Sequence, residues 1–308
     1  MASPQEALTK TDLAVVIVSW NVRDHLDRCL DALRDALSED QVDRHVWVLD
    51  NASTDGTVER VRQRHLWVHL EALPDNLGYV KANNIALERA IGTAPYVWLL
   101  NPDTVVRPGT LKTILAFMDD HPRAGLVGPK LINPNGSLQE SAFSFPGLTQ
   151  ALFALELLPT RLYYSRLNGR YPRELYEDDV PFQIGHPLGA AMLARSDTVR
   201  DVGLLDEGFF MYCEEIDWAW RMEKAGWERW LVPAAEVVHV GGASTKQARP
   251  QATAHLWRSR ARLYHKHRGP LTNALVRMAV KRLFTQRLAK AATPEWAKAY
   301  ADILEAWD

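Results

Sequence analysis

Three clusters of polar residues break otherwise apolar stretches, and each has the makings of a site. The first is Asn101-Pro102-Asp103, which interrupts the run YVWLLNPDTVV at 96–106. A carboxylate at the end of a buried strand is a hard oxygen ligand of the kind Mg2+ or Mn2+ takes while completing its shell with phosphate oxygens and water. The same three residues are also good turn formers. The second cluster is FFMYCEEIDWAWR at 209–221, where Glu214, Glu215 and Asp217 crowd together. Mutual repulsion and partial burial raise carboxyl pKa values toward those of a general base, whereas at a helix N-terminus the same acids would simply favour the macrodipole. Helical spacing puts Glu214 and Asp217 on one face and turns Glu215 elsewhere. The third is VVHVGGAST, where His239 leaves an apolar run beside two glycines that let backbone approach a ligand. Imidazole is the commonest nitrogen ligand of a divalent metal, and a lone histidine also serves as a structural group.

The elements that would carry these groups read as alternating strands and helices. AVVIVSWN at 14–21, HVWVLDNASTDGT at 45–57 and YVWLLNPDT at 96–104 are β-branched and aromatic runs ending in polar residues. That is the pattern of parallel strands buried on both faces. Between the first two, Leu26, Cys29, Leu30, Leu33 and Leu37 fall at helical spacing, with Asp24 placed to cap. Between the second and third lie Val58 and Val61 on a short helix, then NLGYVKANNIALERAIG, a helix closed by Gly92. Right-handed crossovers bring the carboxyl ends of such strands to one edge, where open α/β sheets bind ligands. Asn21, Asp50 with Asn51, and Asn101 with Asp103 would converge there. Further on, the sequence predicts a helix over 109–120, a strand in GLVGPKLI, a less regular aromatic-rich stretch over 133–185, a strand-to-helix segment in GAAMLARSDTVRDVG, a helix in EEIDWAWRMEKAGW, and helices from about 251.

Composition narrows the class. A chain of 308 residues, 47% hydrophobic and 24% charged, has room for one large α/β domain with an accessory segment. No secretion signal and no spanning apolar run is seen, so a soluble or membrane-peripheral protein is expected. The two cysteines, Cys29 and Cys213, lack zinc-site spacing and are expected to be reduced thiols in a cytoplasmic protein. The formal net charge of -2 conceals a tract at 237–294 with no acid and 12 Lys or Arg, leaving 24 basic against 38 acidic residues elsewhere. Such a tract either meets an anionic surface or ligand or packs on the acidic body. It carries no nucleic-acid motif, so no nucleic-acid partner is expected. No G-x-G-x-x-G follows the first strand, which argues against a nicotinamide dehydrogenase.

The order of these motifs resembles the family 2 glycosyltransferases of the GT-A fold, in the branch that contains bacterial rhamnosyltransferases. The resemblance covers about 12–245 and rests on VSWN, VLDNASTDGT, DNLGYVKANN, LLNPDTVVRPG, GLVGPKLINPNGS, GAAMLARSDTVRDVGLLDEGFFMYCEEIDWAWRMEKAGW and VVHVGGAST. It implies an α/β fold with a mixed, mostly parallel sheet flanked by helices. The transferase domain would span 12–245, after a tail at 1–11 and before a basic helical extension at 246–308. Asp50 and Asn51 would border the nucleotide base, with Asn76 and Asn84 in the loop and helix flanking the donor. Asn101-Pro102-Asp103 stands where the family has Asp-x-Asp, its first acid replaced by Asn, so Asp103 is left as the main carboxylate ligand for Mg2+ or Mn2+. His239 would approach the metal or the diphosphate, and Gly189-Ala190 would lie against the donor sugar. Glu215 occupies the catalytic position of a motif usually written Glu-Asp, with Glu214 and Asn101 among the substrate-binding residues.

The implied activity is inverting, metal-dependent transfer of a sugar from a nucleotide-diphosphate donor to a hydroxyl of a glycan or lipid-linked acceptor in cell-surface polysaccharide synthesis. L-rhamnose from dTDP-rhamnose is the first expectation, with UDP- and GDP-hexoses close behind. The competing readings are a catalytically degenerate nucleotide-sugar-binding module with a basic partner-binding tail, and a sugar nucleotidyltransferase. The second would need a Gly-rich basic loop after the first strand, where VSWNVRDHL has no glycine. The enzyme would work in the cytoplasm, attached peripherally to the inner face of the membrane. On a helix over 271–290, Arg277, Lys281, Arg282 and Arg287 spread around the axis, so attachment to an anionic surface is expected to be electrostatic rather than inserted.

Overall fold

The computed structural model describes residues 11–242 and 249–308. The expected division at 245/246 and all but the last residue of the expected N-terminal tail fall outside them. The chain runs β1 (Leu13–Ser19), α1 (Arg23–Glu39), β2 (Arg44–Asp50), α2 (Thr57–Arg64), β3 (His69–Ala72), α3 (Gly78–Ala90), β4 (Tyr96–Leu100), β5 (Thr104–Val106), α4 (Thr110–Asp120) and β6 (Ala124–Ile132). Short elements follow: β7 (Leu138–Gln139), β8 (Ala142–Phe143), α5 (Leu148–Ala154), α6 (Glu174–Glu177), β9 (Phe182–Gln183) and β10 (His186–Pro187). The last third holds β11 (Ala191–Arg195), α7 (Ser196–Val202), α8 (Glu214–Lys224), β12 (Glu228–His239), α9 (Arg249–His267), α10 (Pro270–Ala289) and α11 (Pro294–Ala306).

The main sheet has the order β3-β2-β1-β4-β11-β6-β12-β5. The pairs β3-β2, β2-β1, β1-β4 and β6-β12 are parallel, while β11 runs antiparallel to both β4 and β6. A mostly parallel sheet results, with one reversed strand, β11, in the middle and another, β5, at the edge, where it runs antiparallel to β12. Every residue of β1 is buried, because both faces of the sheet are covered. Leu13, Val15 and Ile17 face a core shared with Leu26, Leu30 and Leu33 of α1, and Ala14, Val16 and Val18 face one shared with Val80 and Leu87 of α3 and Trp218 of α8. The two-residue period of a strand thus sorts one run of apolar residues into two cores. α1 begins at Arg23 with Val22 as its N-cap, so Asp24 does not cap it; inside the first turn its carboxylate pairs with Arg23 on the surface.

The C-terminal helices build a separate cluster in which Trp257, Val276, Val280, Phe284, Ile303 and Trp307 pack with Ala151 and Leu155. Thr293 caps α11, accepting the N–H of Trp296. α10 is apolar on two sides: Val276, Val280 and Phe284 are buried inward, whereas Leu271, Leu275 and Met278 are exposed. This is why its sequence shows no single apolar face. No helix among the described residues is long and apolar enough to cross a membrane.

Candidate active site

The carboxyl ends of β1, β2 and β4, the last residue of β12, the first turn of α8 and the start of α9 surround a cleft of about 590 Å3. Asn51, Asn76, Asn101, Asp103, Gly189, Ala190, Glu214, Glu215 and His239 all line it, whereas Asp50 and Asn84 do not. Asp50 turns back into its own loop, where one oxygen accepts the N–H of Ser53 at 2.8 Å and Oδ1 is buried with no hydrogen bond. Asn84 clamps a distant loop, donating to the carbonyl of Leu205 and accepting its N–H at 2.9 and 3.1 Å.

On the β2 side of the cleft, Asn51 and Asn76 fasten the start of α3. Asn51 donates to Asn76 Oδ1 at 2.9 Å and accepts the N–H of Leu77 at 2.8 Å. Gly78 is left-handed, with φ +82°, and a Cβ there would come within 2.6 Å of the Phe210 ring. That close approach lets the carbonyl of Phe210 take the N–H of Tyr79 at 2.9 Å. The loop carrying Phe210 is thereby docked to the helix, and only glycine fits between them.

Asp103 and His239 are brought together by the pairing of β12 with β5, which sets His239 opposite Thr104. His239 Nε2 lies 3.4 Å from an Asp103 oxygen, and both side chains are buried. A chain of amides orients the ring. Asn133 donates through Nδ2 to Ser137 and to the carbonyl of Leu138, so its Oδ1 accepts from Gln139 Nε2 at 3.0 Å. Gln139 Oε1 then faces His239 Nδ1 at 2.7 Å. An amide oxygen only accepts, so Nδ1 carries a proton, and in the neutral ring this leaves Nε2, the nitrogen nearer Asp103, as the one free to ligate. A carboxylate beside an imidazole held by an outer hydrogen bond fits a divalent cation that draws its remaining ligands from diphosphate and water. Among the described residues no cluster of three or more His, Cys, Asp or Glu stands ready to hold a metal alone.

Glu214 and Glu215 occupy the first turn of α8, after Tyr212 and Cys213, two non-glycine residues in the left-handed region at φ 68° and 65°. The kink aims both carboxylates into the cleft, and Oε2 of each is buried with no hydrogen bond. Burial pushes the Glu215 pKa up to about 7. Burial, then the charge of Glu215, pushes Glu214 well above its ordinary value. A carboxyl raised in this way by burial is suited to accept a proton near neutrality. Asp217 does not share their face. Its buried carboxylate points the other way, to Arg221 at 2.9 Å and to Lys266 and His267 at 2.7 Å. Burial alone would raise its pKa, but hydrogen bonds from His267 and Lys266 and the charge of Arg221 hold it far below the usual carboxylate range. The i, i+3 pairing expected of Glu214 and Asp217 fails because the helix lies sandwiched between the cleft and α9.

Sequence reasoning missed several lining residues. Tyr79 lies in GYVKANN with its hydroxyl 3.4 Å from both Asn101 Oδ1 and the carbonyl of Gly189. Gln251, Ala252 and His255 extend the wall from α9, and the His255 ring stacks on Phe210 at 4.5 Å. Nothing in the local pattern of α9 marked it as part of a site. Both cysteines are buried free thiols, and burial pushes Cys29 up to about 12 and Cys213 well above its ordinary value, so neither is a nucleophile.

Residues 14–187 match the profile described as Glycosyl transferase family 2. The N-acetylglucosaminyl-diphospho-decaprenol L-rhamnosyltransferase of Mycobacterium tuberculosis is 35% identical over 244 residues, which cover 76% of this chain and 77% of that enzyme. The rhamnosyltransferase WbbL of Escherichia coli K12 is 27% identical over 236 residues, 73% of this chain and 82% of that one. Among solved structures, S. aureus TarS 1-349 in complex with UDP-GlcNAc aligns with TM-score 0.56 at 18% identity, covering 96% of this chain and 82% of that one. GalNAc-T7 with UDP, GalNAc and Mn2+ aligns with TM-score 0.59 at 15% identity, covering 98% and 56%. These two likenesses establish the GT-A fold.

Proposed function

The chain belongs to glycosyl transferase family 2 and is a glycosyltransferase, and on that premise we propose that it transfers L-rhamnose from dTDP-L-rhamnose, with inversion, to a sugar carried on a lipid diphosphate. The sugar and the acceptor class are supported by the activity of the M. tuberculosis relative with 35% identity, an N-acetylglucosaminyl-diphospho-decaprenol L-rhamnosyltransferase. The observation that carries the chemistry is the cleft itself, in which a carboxylate poised near pH 7 faces the same space as the Asp103–His239 pair.

Glu215 takes the proton of the acceptor hydroxyl as that oxygen forms a bond to the anomeric carbon. The bond from that carbon to the diphosphate oxygen breaks, and the electron pair leaves with the nucleoside diphosphate. Asp103 and His239 would hold Mg2+ or Mn2+, which when bound would supply positive charge toward the diphosphate. Burial and the neighbouring Glu215 push Glu214 toward its neutral form, which limits the negative charge beside the base. Gly189 lies so near Glu215 that a Cβ there would be 3.6 Å from the carboxylate's stem, and the missing side chain leaves room for the sugar ring. The rest is positioning of two substrates for in-line displacement. The site would work at the inner face of the membrane, where a lipid-linked acceptor resides.

The test is transfer from dTDP-L-rhamnose, UDP-hexoses and GDP-hexoses to N-acetylglucosamine on an octyl diphosphate, with the anomeric configuration of the product read by NMR. Inverted product that forms with wild type and is lost with Asp103→Ala is expected. Retained configuration, or undiminished metal-dependent transfer by Asp103→Ala, would overturn the assignment.

A further inference from the structure

Between α5 and β9 the chain encloses a second cavity, of about 380 Å3, outside the cleft just described. Three arginines from one short stretch stand around it, Arg166, Arg170 and Arg173, together with Tyr164 and Ser165. Arg170 is the built part. It pairs with Glu140, its guanidinium lies over the rings of Tyr163 and Phe143 at 4.5 and 5.3 Å, and its Nε is buried with no hydrogen bond. Arg166 and Arg173 are exposed and form no ion pair among the described residues. Glu140 is neutralised by Arg170, so even with Glu174 at the rim the lining keeps net positive charge. Guanidinium groups in a concave, partly dry site bind phosphate oxygens in pairs with fixed geometry.

The cavity adjoins the reaction cleft through two consecutive residues. Gln139 orients His239 on the cleft side, and Glu140 holds Arg170 on the other. Their Cα atoms are about 3.8 Å apart, so one short stretch of chain carries a contact to each site. The rim of the cavity is apolar and wet: Tyr164 is 66% exposed and the neighbouring Leu167 55%.

We propose that this cavity binds the diphosphate of the acceptor, with Tyr164 and Leu167 against the first carbons of its lipid. The inference rests on the lipid-diphosphate acceptor proposed above. It accounts for arginines that neither the donor nor the transfer step uses, and it orients the acceptor. The diphosphate sits between Arg166 and Arg173, and the sugar extends past Gln139 into the cleft toward Glu215.

Two measurements on the double variant Arg166→Ala/Arg173→Ala test it. The first is calorimetry with octyl diphosphate in EDTA, which suppresses any metal-dependent binding at the donor side. Wild type should bind and the variant should bind at least about tenfold more weakly, as loss of two charge-assisted contacts implies. The second compares transfer to N-acetylglucosaminyl octyl diphosphate with transfer to octyl N-acetylglucosaminide, which lacks the diphosphate. The ratio of their kcat/KM values should fall at least about tenfold in the variant. Octyl diphosphate binding that the variant does not diminish overturns the proposal whether or not transfer is seen. A variant that loses affinity for phosphatidylglycerol vesicles but keeps the kcat/KM ratio would make this a seat for phospholipid headgroups, and also overturns it. Arginine-dependent binding in EDTA without transfer to any diphosphate-linked sugar keeps the cavity as a diphosphate site and removes the transfer reading instead.

Discussion

Gln139 Oε1 lies 2.7 Å from Nδ1 of His239, and that contact decides which nitrogen of the ring faces Asp103. Removing it by Gln139→Leu frees the imidazole to rotate and to change tautomer. Partners of this kind change metal affinity by roughly 10- to 100-fold. The Mn2+ concentration for half-maximal activity should rise by that factor while the folded chain keeps its melting temperature to within a few degrees. An unaltered metal requirement would mean that His239 does not reach the metal.

Glu215→Gln should retain donor binding and lose roughly 10² to 10⁴-fold in turnover, the usual contribution of a general base. With the wild-type base at about pH 7, kcat/KM should fall tenfold per pH unit on the acid side of neutrality. The variant should lose that limb. If Glu214→Gln proves the more damaging change, the base is the neighbouring residue.

The same carboxyl pair has a signature in stability. Its pKa values are raised above the ordinary 4.5, so between that value and about 7 the folded chain binds more protons than the unfolded one. Stability therefore falls as pH rises through this window. Glu214→Gln removes a buried acid that must take up a proton on folding above its ordinary pKa, and its thermal midpoint relative to wild type should climb from pH 5 to pH 8. A constant difference across that range would show that the pair is not strained by burial.

Asp217 is the opposite case, since its carboxylate is held down and contributes stability above the ordinary pKa of 3.8 that is lost as pH falls below it. Removing one partner from a buried charged cluster typically costs about 3 to 5 kcal/mol. Asp217→Ala should lose stability of that order in urea unfolding at pH 7, and the gap should close below pH 3. Lys266 and His267 belong to α9, so the same variant should loosen the wall formed by Gln251 and His255 and raise KM for the acceptor.

The basic tract divides between internal and external duties. Arg262, Lys266, Lys281 and Arg287 pair with acids of the chain, and Arg268 donates to the carbonyls of Phe145 and Pro146. Arg258, Arg282 and Lys290 are exposed and form no ion pair among the described residues. At about 1 kcal/mol for each basic residue near anionic headgroups, they support only weak attachment. Co-sedimentation with phosphatidylglycerol vesicles should be seen at low salt and fade toward a few tenths molar. Equal binding to neutral vesicles would point instead to the exposed Leu271, Leu275 and Met278.

What the sequence displayed was local. The strands ending at Ser19, Asp50 and Leu100 follow from apolar runs, α1 from the spacing of its leucines, and Glu214 with Glu215 from their crowding between aromatic residues. Gln139 was invisible because its importance is a contact across 100 positions of chain to His239. α9 was legible as a helix but not as a cleft wall. It buries Leu263 against the sheet core and Trp257 among the terminal helices, and this double packing leaves no simple stripe. Asp217 was misplaced for the same reason, since helical geometry says which residues share a side but not which neighbour each side meets.

The reversed strand at the centre of the sheet sets the order in which the protein can be completed. β4 and β6 leave the ribosome well before β11, yet they do not pair with each other and wait for Ala191–Arg195 to fill the gap between them. Until then a nascent chain presents two open edges side by side, the arrangement most prone to pairing with the wrong strand. Two residues that finish the cleft, Glu215 and His239, come after this keystone. A truncated product ending near 187 would thus be both incompetent in transfer and disposed to aggregate, whereas a chain that reaches β11 and then β12 can close first the sheet and then the site.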